Sequence, residues 1–159
     1  MKNQVLSFAF AAGFVAFPAA AHAQTGPVAD KLGASMESCE NAMTEAAKAS
    51  DFTIAKGPCN ETLAQIKAID AAGGLSAEER ALTEYAYLNT YLTKTSISIK
   101  IHGKDVPEET CPYLHKAVDH GEAIIVEDLP QSVQLQAQFF MRQALGSEQK
   151  CPADQDPAQ

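Results

Sequence analysis

A chain of 159 residues with a formal net charge of −8 is long enough for one domain with a real core, and too acidic to offer the basic face that nucleic acid or an anionic membrane surface requires. It is rich in Ala, Glu, Gln and Leu, has no Trp, and carries four cysteines. That composition favours helix over strand, and the expected fold class is all-α, with about five antiparallel helices in stacked hairpins.

Residues 1–23 read as a leader. Met1-Lys2-Asn3-Gln4 is a short basic start, Val5 to Phe17 is uncharged and apolar, Pro18 breaks the run, and Ala21-His22-Ala23 is a small-x-small cleavage site. The apolar run is too short to span a bilayer comfortably. Cleavage after Ala23 would leave a mature chain more acidic by one charge, since the leader holds Lys2 and no acid. Gln24 is not a cysteine, so a lipid anchor is not indicated. The expected product is a soluble exported domain over 24–148, periplasmic or secreted, with no membrane span in the mature chain. A mostly disordered tail over 149–159 would be tethered at Cys151.

The first helix is expected over 29–49, with Leu32, Met36, Cys39, Met43 and Ala46 on its inner stripe at spacings of four, three, four and three. A turn follows at Ala49-Ser50-Asp51. The second helix is expected to end at Ala72 before Gly73-Gly74. Gly57-Pro58 leaves two options for its start: a kinked helix from Asp51, or a short turn and then a helix that opens with Pro58. Leu63 and Ile66 face inward, with Ile69 or Asp70 next. Ser76-Ala77-Glu78-Glu79 is a capping box and opens the third helix, whose stripe is Leu82, Tyr85, Leu88 (or Asn89) and Leu92. Its end, Thr95 to Ile101, is β-branched and alternating; helix is favoured because nothing breaks the chain before Gly103. The fourth helix should begin between Pro107 and Pro112 and reach Glu127, with Leu114, Val118, Gly121 and Ile125 in the core and Ile124 beside them. Pro130 forces a break. The fifth spans 132–145, with Val133, Ala137, Phe140 and Ala144 inward, Leu135 and Phe139 flanking, and Gly146 closing it.

Four cysteines in an exported chain read as two disulfides, and counting alone leaves three pairings open. Antiparallel hairpins favour one of them. Positions 39 and 59 lie equally far from the turn at Ala49, and positions 111 and 151 lie equally far from a turn at Leu129-Pro130-Gln131. Cys39–Cys59 and Cys111–Cys151 would each staple one hairpin. Ala42, Ala46 and Ala55 would allow the close approach that a bridge needs. Zinc is disfavoured, since the cysteines are widely separated along the chain and form no C-x-x-C pair.

Residues 42–62 resemble the helical hairpin of the tetratricopeptide repeat. Ala42-Met43 and Ala46 stand where its first helix has small and apolar residues, Ser50-Asp51-Phe52 looks like its turn, and Ala55, Cys59 and Thr62 look like packing positions on its second helix. Tyr85, Leu88-Asn89 and Leu92 resemble the start of a second unit. The pattern then departs, and Gly57-Pro58 is foreign to it. The resemblance implies a helical-hairpin array that binds a peptide or protein and is not an enzyme.

No Gly-rich phosphate loop, H-E-x-x-H or G-x-S-x-G motif is present, and no cofactor is expected. Asn60-Glu61-Thr62 matches a glycosylation sequon but falls inside a helix beside a cysteine, so it is read as chance. Tyr85, Tyr87, Asn89, Tyr91 and Lys94 on the third helix are the candidate partner surface, weighed against plain packing of the same tyrosines. His102, His115, Asp119 and His120 are the nearest approach to a metal or acid–base cluster, weighed against solvated faces with a His–Asp contact. The leading expectation is a non-enzymatic exported domain that binds a protein or peptide. The alternatives are small-ligand or metal-dependent activity around His102, His115 and Asp119, and a structural envelope subunit with no ligand.

Overall fold

The computed structural model describes residues 26–102 and 108–151 of the chain. The expected leader and the end of the tail lie outside them. The described residues form five α-helices and three short 3-10 turns, with no strand among them. The all-α hairpin architecture and both expected bridges are therefore present.

Helix α1 (Pro27–Ala49) starts with Pro at a position whose N–H has no intrahelical partner, and its ends suit the helix dipole, with Asp30 in the first turn and Lys48 in the last. All five residues of the expected inner stripe are buried, joined by Ser35. Ser50 takes the left-handed conformation (φ 55°), and the Asp51 N–H closes on the Ala46 carbonyl at 3.0 Å, reversing the chain where expected.

The Gly57-Pro58 question resolves toward the second option, with a shift. A 3-10 turn (Phe52–Ala55) is capped by Asp51, whose carboxylate accepts from the Thr53 N–H at 3.0 Å and the Thr53 hydroxyl at 2.6 Å. Helix α2 (Lys56–Ala72) then begins two residues before Pro58. Pro58 still falls in the first turn, where its missing N–H removes no helical bond. Gly73 (φ 68°) and Gly74 (φ 72°) end the helix in conformations that a side chain would oppose.

Helix α3 (Ala77–His102) opens on the expected capping box. The Ser76 N–H donates to Glu79 Oε2 at 2.9 Å, and the Glu79 N–H donates to Ser76 Oγ at 3.2 Å. It stays helical through its β-branched end because tertiary contacts outweigh propensity. Thr95 donates to the Tyr91 carbonyl at 3.0 Å, and Ile97 packs against the Cys39–Cys59 bridge with Met43, Ala46 and Ala55.

Two expectations fail in the second half. Helix α4 (Cys111–Ala123) stops four residues before Glu127, and α5 (Gln131–Glu148) continues through Gly146. Ile124 leaves α4 in an extended conformation, which resets the side-chain phase. Ile124 is therefore buried, while Ile125, expected in the core, is 59% exposed. A 3-10 turn (Val126–Asp128) follows, and buried Leu129, extended ahead of Pro130, pins the connection. Gly146 does not stop α5 because the N–H of Gln149 still finds the Leu145 carbonyl at 3.3 Å.

The α1–α2 and α4–α5 hairpins both pack on α3 and scarcely on each other. A Cβ on Gly121 of α4 would lie 3.3 Å from Met141 of α5 and 3.7 Å from Leu88 of α3, so Gly lets three helices converge there. The Cys39–Cys59 bridge joins α1 to α2 at a Cα separation of 4.5 Å, which the buried Ala46 and Ala55 permit. Cys111–Cys151 ties the start of α4 to the residue beyond α5 at 5.7 Å.

Loop-closure entropy sets the expected cost of removing each bridge. C39A/C59A should lose about 3 kcal/mol and C111A/C151A about 4 kcal/mol of unfolding free energy in urea titrations. Cys39 and Cys59 are buried while Cys151 is half-buried, so dithiothreitol should open Cys111–Cys151 first. Mass mapping after alkylation reads that order, and the reverse order would contradict it.

Candidate functional site

Of the residues expected to carry function, Tyr87, Tyr91, Lys94 and His120 meet at the seam where α2 and α4 meet α3. Tyr87 and Tyr91 lie one turn apart on α3 and are 4% and 7% exposed. The His120 ring, from α4, stacks on Tyr87 at 4.1 Å and lies 5.7 Å from Tyr91, and Tyr113 continues the row at 6.5 Å. His120 Nδ1 sits 2.6 Å from Glu84 Oε2, so a carboxylate on α3, near Tyr87, orients the ring. The α2 side closes the seam. The Tyr87 hydroxyl donates to Asp70 at 3.4 Å, and Lys94 Nζ donates to Asn60 Oδ1 at 2.6 Å while lying 4.6 Å over the Tyr113 ring.

These contacts decide the alternatives for the tyrosines. Tyr85 is 1% exposed and stacks on Phe140 at 6.2 Å, so it belongs to the main core. Tyr87 and Tyr91 are taken up by intramolecular stacking, while Asn89, turned toward Glu40 of α1, and Lys94 are half-buried. Burial pushes the Tyr87 and Tyr91 hydroxyls up, with Asp70 adding to the shift at Tyr87 and Tyr113 at Tyr91. Burial, and then Lys67, hold the Lys94 ammonium below its usual range.

The histidine cluster is likewise dispersed. His102 contacts Glu109 at 3.2 Å, His115 lies 3.9 Å from Glu148, His120 is held by Glu84, and Asp119 faces Lys116 at 4.0 Å. Among the described residues no group of three His, Cys, Asp or Glu side chains could hold a metal ion. Within the sequon Asn60 is exposed, whereas Thr62 is buried and donates to the Ser35 carbonyl at 2.7 Å. A crevice lined by Ala77, Arg80, Ala81, Ala123, Ile125 and Asp128 holds about 160 Å³. That is below the roughly 300 Å³ at which ligand pockets begin.

The inner stripe of α5 lies where expected, and the opposite face of the helix is open. Leu135 and Phe139, placed beside the core stripe of α5, are 79% and 64% exposed. Val133, Ala137 and Ala144 face the bundle, with Phe140 half-buried, and Leu135, Phe139, Arg142 and Gly146 form a second stripe on the opposite side. Its spacing of four, three and four was available in the sequence. Phe139 is braced by Phe140 at a ring separation of 5.8 Å. No protein-family model, no curated protein and no solved structure matches this chain.

One ionisable group has a clear pH consequence. Glu40 of α1 is half-buried, and burial raises its pKa above 4.5 although Asn89 of α3 donates to it. The unfolded chain ionises this carboxyl first as pH rises, so Glu40 lowers stability progressively from pH 4.5 upward to its folded value. E40Q should therefore melt higher than wild type at neutral pH, and the gap should close below pH 4.5. Calorimetry at the two conditions checks it; a gap that widened in acid would refute the assignment.

Proposed function

We propose that this protein is an exported, non-enzymatic helical domain that binds a protein partner through the outward face of α5. One observation carries the reading: of the five large hydrophobic side chains exposed on the described residues, three (Leu135, Phe139 and Leu145) lie on α5. The other aromatic residues described on the helices are at least half-buried, and an exposed Leu–Phe stripe on a rigid helix is the usual form of a docking surface. Export is supported by the leader-like segment 1–23 and by two disulfides, which persist in oxidising compartments. The repeat-like hairpin over 42–62 supports the same class of function.

A photoreactive p-benzoyl-phenylalanine placed at Phe139, and separately at Ile54, tests the surface in the envelope fraction of expressing cells. Ile54 is 47% exposed and controls for exposure alone. Discrete adducts are expected from position 139 and not from 54. Equal labelling at both positions, or none at 139, would refute the assignment.

A further inference from the structure

We propose that the partner on this face is a second copy of the same chain, seated antiparallel on α5 about a twofold axis between positions 140 and 141. The inference rests on the α5 face being a docking surface, and it is carried by the order of the residues along that face. The centre line of the stripe reads Leu135, Phe139, Arg142, Gly146, all exposed. Under a twofold axis at its midpoint, residue 135 meets 146 and residue 139 meets 142. The largest aliphatic knob then lies over the position with no side chain, and the one cation lies over the aromatic ring. A surface whose reversed order complements itself is what an isologous contact requires.

Gly146 supports this independently. It sits inside the last turns of α5, where Gly is less favourable than Ala, and a Cβ built there would meet nothing within 4 Å. Nothing in the monomer needs a glycine at this point. A facing helix that must approach closely does, since small residues at the contact allow axial separations at the short end of the usual range, about 8 Å. Phe139, held by Phe140, presents its ring to the facing guanidinium, a contact that gains strength as it is desolvated.

Charge favours the same occupant and the same polarity. The chain carries a net charge of −8, so most of its surface repels a copy of itself. From Gln131 to Ser147, however, Arg142 is the sole charged residue. Two such faces can meet without apposing carboxylates. Glu127 and Asp128 lie just before α5 and Lys150 just after it, while Glu148 is turned toward His115. Antiparallel seating therefore brings the acidic end of each helix toward the lysine of the other and opposes the helix dipoles. Ser132 falls opposite Gln149, both exposed and able to exchange hydrogen bonds at the rim. One helix against one helix makes an interface at the small end of the specific range, under about 1,200 Å² in total, so dissociation in the micromolar range is expected.

Sedimentation velocity on the oxidised full chain, over about 1–200 µM, reads the association directly. Wild type should shift from monomer to dimer across that span. F139K sets two cations against each other across the axis and should weaken the dimer about 30-fold or more, as for an interface hot spot. F139K/R142E restores opposite charge in the facing positions and should recover most of the loss. G146L should also weaken the dimer while leaving the monomer melting temperature unchanged or raised, which separates an interface effect from misfolding. A wild type that stays monomeric across the range overturns the inference, as does a dimer indifferent to F139K and G146L. A monomer that still gave adducts with another protein from position 139 would overturn the self-partner alone and leave the docking face standing.

Discussion

The structure depends on one helix that water hardly reaches. Fourteen of the 26 residues of α3 are buried, against six of 23 in α1, because both hairpins pack on it. A helix enclosed in this way cannot be amphipathic in the usual sense, and its polar side chains must be satisfied without solvent. Threonine solves this locally. Thr83, Thr93 and Thr95 each donate to the carbonyl one turn back, at 2.7, 2.9 and 3.0 Å, so the hydroxyl is paired within the helix itself. The same residues have only modest helix propensity, and packing from both sides supplies what propensity does not.

The disulfides secure what this arrangement leaves weak. The hairpins hold to α3 and hardly to each other, so each must keep its own two helices together. Cys39–Cys59 fixes α1 to α2 from inside a small core of Met43, Ala46, Ala55 and Ile97. Cys111–Cys151 closes the open end of α4–α5. Restricting the unfolded chain in two separate loops stabilises the two halves independently.

Aromatic residues divide by exposure, and the division shapes the functional reading. The row of Tyr87, His120, Tyr91 and Tyr113 fills the seam between α2, α3 and α4, with Glu84, Asp70 and Asn60 satisfying its polar edges. It is interior structure with a half-wet rim. Phe139 and Leu135 stand outside any such packing, on a helix that lies at the end of the helix order and has bundle neighbours on one side only. Burial engages the seam in the fold, while the outer face of α5 stays exposed.

Much of this was legible along the chain. The inner stripe of α1, the reversal at Ser50, the capping box at Ser76 and both cysteine pairings follow from local chemistry and from the symmetry of a hairpin about its turn. What was left open or misplaced shares one cause. Whether Tyr87 packs or is displayed, and whether Ile124 or Ile125 turns inward, depend on where a neighbouring helix lies, and spacing within one helix does not encode that. By itself the sequence determined an all-helical, doubly stapled chain, because helical period, caps and cysteine spacing are short-range properties. Only the tertiary structure decided that α3 is enclosed and that the outer face of α5 is left open, because burial is a property of the whole packing and not of any one segment.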